Sequence, residues 1–312
     1  MKADNLYPIT IRKPALGTTV SVTCFVVDSL QGIAKVEGAF AVLDSLNKIF
    51  SDYDPSSEIM QITSHYQKGE IISVSAPLFD LLQKSIDIRR LTGGAFNVEI
   101  GVLSGMWRSF LAKDQIPPRK YIRKYRRKLK KENIRFPDSG QIQLMQSNMR
   151  LDFGGIAKGY IGDLMAKHLK EEGVTIFLID LGGDLIAGEP PPESGGWKIT
   201  ISWCNQIVQI ANQSIATSGP DFQFFVHKGR RYAHIIDPQT GWGVENLFGS
   251  TVIANSGYEA DALASAFSIL SMLRSSQLLK RKTDIAAIIG RQNELFESDN
   301  FSQYVISDGQ TN

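Results

Sequence analysis

The residues whose types and spacing suit chemistry fall in five short segments. The first is LDFGGIAKGY at 151–160, where Asp152 closes a strand-like piece, two glycines follow and a helix starts. Free backbone N–H groups at a helix N-terminus attract anions, and glycines let a phosphate approach closely. Lys158, in the first turn, reaches toward the same anion, and Asp152 can accept hydrogen bonds from a ligand. Neither GxxxxGK[ST] nor GxGxxG is present, and the glycines serve a tight packing turn equally well. In the second segment, EADALAS, Asp261 and Ser265 stand at i and i+4, so their oxygens share one helix face. A carboxylate and a hydroxyl there suit a hard cation such as Mg²⁺, which takes oxygen ligands and completes its shell with water and phosphate oxygens. Alone, the pair also reads as an exposed Asp beside a capping Ser.

The third segment, YAHIIDPQTG at 232–241, presents His234 on a strand and Asp237 before a proline turn. Alternation along a strand puts His234 and Ile236 on one face and Ile235 on the other. His65, His168 and His227 sit in loop or helix contexts, so His234 is the one histidine set like a catalytic group, though a structural hydrogen-bonding role fits it as well. The fourth, TGGAFNVEIG at 92–101, allows backbone contact with a flat ligand, with Phe96 to pack on it. The fifth, IATSGP at 215–220, offers the Thr217 and Ser218 hydroxyls to a phosphate.

These segments need elements to hold them. Residues 19–26 alternate as a half-buried strand, helices are expected over 33–49 and 77–90, and a capped turn at 50–58 closes the first of these helices. Residues 141–152 hold two strand-like pieces, 155–170 a helix, FLIDLGGDL a buried strand ending in a glycine turn, 197–253 several short strands, and 259–273 a helix. The pattern predicts an α+β fold with a mostly antiparallel sheet core and packed helices. It forms one domain over 1–312, built as one body or as two interwoven lobes, with no linker dividing it.

Composition narrows the class. The 312 residues are 43% hydrophobic with a net charge of +2, enough for a sizeable core and close to electrically balanced. Cys24 and Cys204, the two cysteines, read as core thiols. No run of roughly 18 apolar residues predicts a membrane span. The opening MKADNLYPITIRKP has no apolar signal core, which reads as cytoplasmic for the chain as written, or as a periplasmic or membrane-anchored lipoprotein whose N-terminus was trimmed. Residues 119–131, RKYIRKYRRKLKK, hold nine basic residues and no acid around a narrow apolar stripe of Ile122, Tyr125 and Leu129. That helix is either a solvated face or a surface for membrane lipid, nucleotide or an acidic protein. A nucleic-acid reader is not expected, since one basic stripe carries no recognition fold.

Taken in order, the segments resemble the FAD:protein FMN transferase family, also called thiamine-biosynthesis lipoproteins. The resemblance runs from 15–22 to 285–290 and rests on Leu16-Gly17-Thr18, the Tyr53 to Glu58 segment, GGAFN, LD-x-x-x-IAKGY, Gly182-Gly183-Asp184, IATSG, HIIDPQTG and ADALAS. It implies that FAD is the substrate, that Mg²⁺ is held by the Gly155 carbonyl, Asp261 and Ser265, and that FMN passes to a Thr or Ser hydroxyl of a redox or electron-transfer protein with release of AMP. It further implies FAD contacts at Leu16, Tyr53, Ala95, Phe96, Asn97, Asp152, Lys158, His234, Ile235 and Ala264, with His234 and Asp237 helping the hydroxyl lose its proton. A metal-dependent FAD pyrophosphatase, or a flavin-binding protein without catalysis, uses the same residues. Leu16 stands for the family's usual Met, Asn97 for a frequent Asp, Gly155 for Ala or Thr, and Ser265 for Thr.

Overall fold

The computed structural model describes residues 6–219, 224–227, 230–233, 235–244, 248–291 and 294–306. His234 therefore lies outside the described residues.

An eight-stranded sheet forms the frame. Its strands are β1 (Tyr7–Ala15), β2 (Thr18–Val26), β6 (Phe177–Asp180), β7 (Leu185–Ala187), β10 (Ser214–Ser218), β13 (Gly249–Ala254), β14 (Ala286–Arg291) and β15 (Glu294–Glu297), side by side in that order. Every pairing in it is antiparallel. A small sheet joins β3 (Ile71–Ser73), β5 (Gln141–Leu144) and β4 (Ile134–Arg135). Two hairpins, β8 (Trp197–Ile201) with β9 (Gln206–Ile210) and β11 (Phe224–His227) with β12 (Arg230–Ala233), complete the strands.

The helices are α1 (Ser29–Phe50), α2 (Glu58–His65), α3 (Ala76–Leu91), α4 (Gly101–Leu111), α5 (Arg119–Lys128), α6 (Ala157–Glu171), α7 (Gly257–Ile269) and α8 (Met272–Leu279). Among the described residues no helix is long and apolar enough to cross a membrane.

Both faces of the frame are covered, and strand alternation sorts the side chains. Ala216, Val252, Ala254, Ala287 and Ile289 enter the main core with α1, α6 and α7, while Ile215, Ile253, Ala286 and Ile288 enter a second core closed by the β8–β9 hairpin and Phe301. This is why β13 is buried at all six positions. A third cluster, Leu103, Trp107, Ile122, Tyr232 and Ile236, joins α4 and α5 to the 235–242 segment.

The expected α+β class and antiparallel core hold, with particular departures. β1 was not anticipated; it carries Pro8 and Pro14, which an edge strand tolerates because one side needs no N–H donor. α4 occupies a stretch for which the sequence pattern assigned no element. Residues 145–153 form no strand, although the Asp152 N–H still donates to the Val98 carbonyl at 2.8 Å. The last long helix stops at Ile269, and α8 begins anew after a Ser271 cap. His227 ends a strand. Cys24 is buried and Cys204 half-buried, both as free thiols, and burial pushes the Cys24 thiol up to about 11.

Candidate functional site

A cleft of about 220 Å³ opens where four chain turns meet the start of α7. Its walls include Gly154, Lys158, Gly182, Asp184, Thr217, Ile235, Asp261 and Ser265. Four of the five chemistry-bearing segments thus contribute directly, together with the Gly182–Gly183 turn. The remaining one, 92–101, reaches the same place through Phe96: a Cβ built on Gly155 would lie 3.7 Å from its ring and 3.0 Å from Ser265 Oγ.

Two helix starts create the site. α6 and α7 cross at Gly159 and Gly257, where a Cβ on Gly159 would collide with the Gly257 carbonyl. Ser256, which caps α7 in sequence, makes no side-chain cap bond. Asp163 on α6 caps α7 instead, accepting from the Gly257 N–H at 2.6 Å and the Tyr258 N–H at 3.1 Å. In return, Asp261 on α7 accepts from the Gly159 N–H at 3.2 Å in the first turn of α6. The α6 N-terminus therefore already faces an anion of the protein's own, where the sequence suggested a free phosphate cradle.

Asp261 is 5% exposed. It is not the surface residue that its spacing alone allowed. Burial, then the neighbouring Asp184, pushes its carboxyl up to about 7, against the pull of Lys158 and the Gly159 N–H. Lys158 is ion-paired with Asp184. Burial works against the Lys158 charge, but Asp184 and Asp261 more than offset it and hold the ammonium above the ordinary lysine value. With Asp261 ionised, two carboxylates against one ammonium make the cleft floor negative, a charge that a hard cation would offset. Among the described residues no cluster of three or more His, Cys, Asp and Glu forms a metal cage. The oxygen donors the cleft offers, the Asp261 carboxylate and the Ser265 hydroxyl with the Gly155 backbone close by, fit an ion that shares its shell with substrate oxygens and water.

The other anticipated residues divide into rim and support. Leu16 heads the two-residue turn between β1 and β2 with φ +52°, followed by Gly17 at +72°, and the next residue, Thr18, packs against Gly182. Both positive φ values match the twist of a tight hairpin. Tyr53 is 77% exposed and carries the Arg108 guanidinium 4.6 Å over its ring. Arg108 also pairs with Asp52 and lies 4.0 Å from Asp152, and those carboxylates hold its charge fast against the cost of burial. Asp152 further accepts from Ser104 Oγ and from the Gly154 N–H. Ala95 and Asn97 are buried, and Asn97 Oδ1 caps the short turn at 98–100 by accepting from the Glu99 N–H at 3.0 Å. Ala264 lines the cleft.

The 235–241 segment keeps its alternation. Ile235 faces the cleft and Ile236 the third core cluster. Asp237 uses its carboxylate locally, accepting from the Gln239 N–H at 2.7 Å, while its backbone closes the turn to Gly241 and Trp242. Thr217 Oγ1 lies 2.9 Å from Thr251 Oγ1.

Arg108, Asp163 and Asp52 were not singled out from sequence. Their roles depend on residues tens of positions away. Asp184 was visible within the Gly-Gly-Asp turn, but its pairing with Lys158 was not.

Known proteins resemble the chain in sequence and in fold. A model of the ApbE family matches residues 16–289. The FAD:protein FMN transferase of Escherichia coli (strain K12) is 26% identical over 283 residues, covering 85% of this chain and 80% of that protein. That of Klebsiella pneumoniae (strain 342) is 29% identical over 246 residues, 76% of each chain. In structure, the flavin transferase ApbE from Vibrio cholerae superposes with a TM-score of 0.85 at 22% identity over 96% of this chain and all of that one. The ApbE protein from Thermotoga maritima gives 0.84 at 24% identity over 97% of this chain. The chain belongs to the ApbE family.

Proposed function

We infer that this chain transfers the FMN half of FAD to a Thr or Ser hydroxyl of a target protein and releases AMP. The observation that carries the reading is the convergence of Asp261, Ser265 and Lys158 on one cleft, with Gly155 close against Ser265 and the similarity to curated FAD:protein FMN transferases behind it. The hydroxyl oxygen bonds to the FMN-side phosphorus, the bond from that phosphorus to the bridging oxygen breaks, and AMP leaves with that oxygen. The hydroxyl proton passes to a base, for which we assign His234, the histidine that the family resemblance sets against FAD.

Such a transfer needs alignment and neutralisation of phosphate charge more than covalent help. A negative cleft floor repels a pyrophosphate, so the residues here call for a cation. Mg²⁺ would be held by the Asp261 carboxylate, Ser265 Oγ and the Gly155 carbonyl, and it would neutralise charge on the pyrophosphate oxygens. Lys158, fixed by Asp184, adds a second positive group at the cleft wall. Tyr53 offers an open ring face at the rim, while Leu16, Ala95, Phe96, Asn97, Asp152, Ile235 and Ala264 shape the flavin's bed.

The test is incubation with FAD, Mg²⁺ and several candidate acceptor domains, read as covalent flavin fluorescence on a denaturing gel. Labelling of an acceptor that is lost on adding EDTA is expected. Release of free FMN and AMP with no labelled acceptor would replace transfer by hydrolysis.

A further inference from the structure

The basic helix found in the sequence borders a second depression. This groove, of about 450 Å³, is lined among others by Gly93, Gly94, Arg126, Lys130, Pro238 and Gln239. Two loops connect it with the nucleotide cleft. Gly94 is two residues from Phe96, which packs beside Gly155, and Pro238 is three residues from Ile235, which lines the cleft. At up to about 3.6 Å per residue, groove and cleft lie within roughly 11 Å of each other along the chain.

The groove has a fixed wall. Arg89 is buried against Glu99 at 2.6 Å and donates at 2.8 Å to the carbonyls of Leu129 and Lys131, tying the end of the basic segment to α3. Arg90 is spent on Glu132 through two bonds of 2.8 Å. Arg126 and Lys130 remain. Among the described residues no basic side chain of 119–131 is paired with a carboxylate. The Arg126 Nε–H is buried without an acceptor. α5 also starts with Arg119 and Lys120 and has no acid in its first turn, so its charge opposes the helix dipole. At its other end Arg126, Arg127 and Lys128 sit in the last turn and complement the dipole, so it is the missing carboxylate partners that leave Arg126 and Lys130 available to a ligand.

Resting on the transfer reading, we propose that this groove binds an acidic stretch of the acceptor protein flanking the hydroxyl to be modified. Anything that delivers a hydroxyl to the cleft must pass its mouth, and the groove beside that mouth offers unpaired cations to a carboxylate-bearing segment. A concave trough between two loops fits an extended chain better than it fits the flat face of a bilayer.

The probes are two fluorescein-labelled peptides containing one Thr, flanked by Glu residues in one and Gln in the other, with phosphatidylserine–phosphatidylcholine vesicles as a third. The intact chain should bind the Glu peptide in a salt-sensitive way and the Gln peptide weakly. Arg126→Gln with Lys130→Gln should weaken Glu-peptide binding roughly tenfold, while FAD titration and thermal melting stay unchanged. Arg123→Gln with Arg127→Gln, outside the groove lining, should weaken it less. Equal binding by wild type and the groove variant overturns the proposal, as does loss of vesicle binding with peptide binding intact, which assigns the cations to lipid. Groove-dependent binding by a chain that labels no acceptor would sink transfer and spare the groove. Labelling with an acceptor KM indifferent to Arg126 and Lys130 would sink the groove and spare transfer.

Discussion

Asp261 is held in a place that costs stability. Its carboxylate is buried beside Asp184, and one Lys and one backbone N–H only partly compensate. Asp261→Asn keeps the shape and an oxygen for the Gly159 N–H but removes the charge. Without added metal the variant should melt no lower than wild type, and flavin transfer should fall at least a hundredfold, by about 3 kcal/mol or more. A drop in stability matching the loss of activity would show a structural role. Arg108 makes a different argument, because one guanidinium both covers Tyr53 and spans Asp52 and Asp152. Arg108→Ala should raise the KM for FAD about tenfold with a smaller change in kcat, and Arg108→Lys should not restore it, since an ammonium lacks the planar fork. An unchanged KM in a folded variant would remove Arg108 from the site.

At the scale of elements, the site exists because α6 and α7 start against each other. Gly159 lay in sequence within the helix that follows the two loop glycines, and in the structure it is where α6 meets the start of α7. Gly159→Ala should destabilise by about 1–3 kcal/mol or prevent folding, whereas Gly155→Ala, with Ser265 Oγ at 3.0 Å, should fold; urea melts of both variants check this. Asp163 couples the same two helices to pH. Burial raises its carboxyl from the ordinary 3.8 to about 6, against the two N–H groups it caps. An acid whose folded pKa is raised contributes stability that is complete below about 4 and is lost as pH rises through about 6. Asp163→Asn keeps one acceptor for the α7 cap and removes the titration. Its stability relative to wild type should therefore improve by about 2 kcal/mol between pH 4 and pH 7. A pH-independent difference would place the titration elsewhere. The helices that carry these residues were legible, because apolar periodicity marks 157–171 and 257–269 plainly. The reciprocal capping was not, because its partners are nearly a hundred residues apart and neither is a conventional N-cap.

Across the whole molecule, periodicity exposed the strands and helices that obey one face rule and hid those ruled by tertiary context. β1 escaped because its prolines read as breaks, and α4 because two glycines lower its helix propensity, while Leu103 and Trp107 bury it regardless. The same cluster explains how the cleft is kept in register. Its far wall, Ile235, belongs to a segment held by Ile236, Trp107 and Ile122 rather than by the main core. Trp107 is 2% exposed, its Nε1–H donates to the Gly241 carbonyl at 3.0 Å, and its ring packs 5.6 Å from those of Tyr232 and Trp242. Trp107→Ala should remove about 3–5 kcal/mol from this cluster. Because the main core and the second core do not use Trp107, the loss should be local. Amide exchange should accelerate in α4, α5 and 235–242 while β13 and β14 keep their protection, and FAD should bind more weakly. Uniform acceleration across all strands would mean that the three clusters unfold as one unit and that the cleft wall has no independent stability.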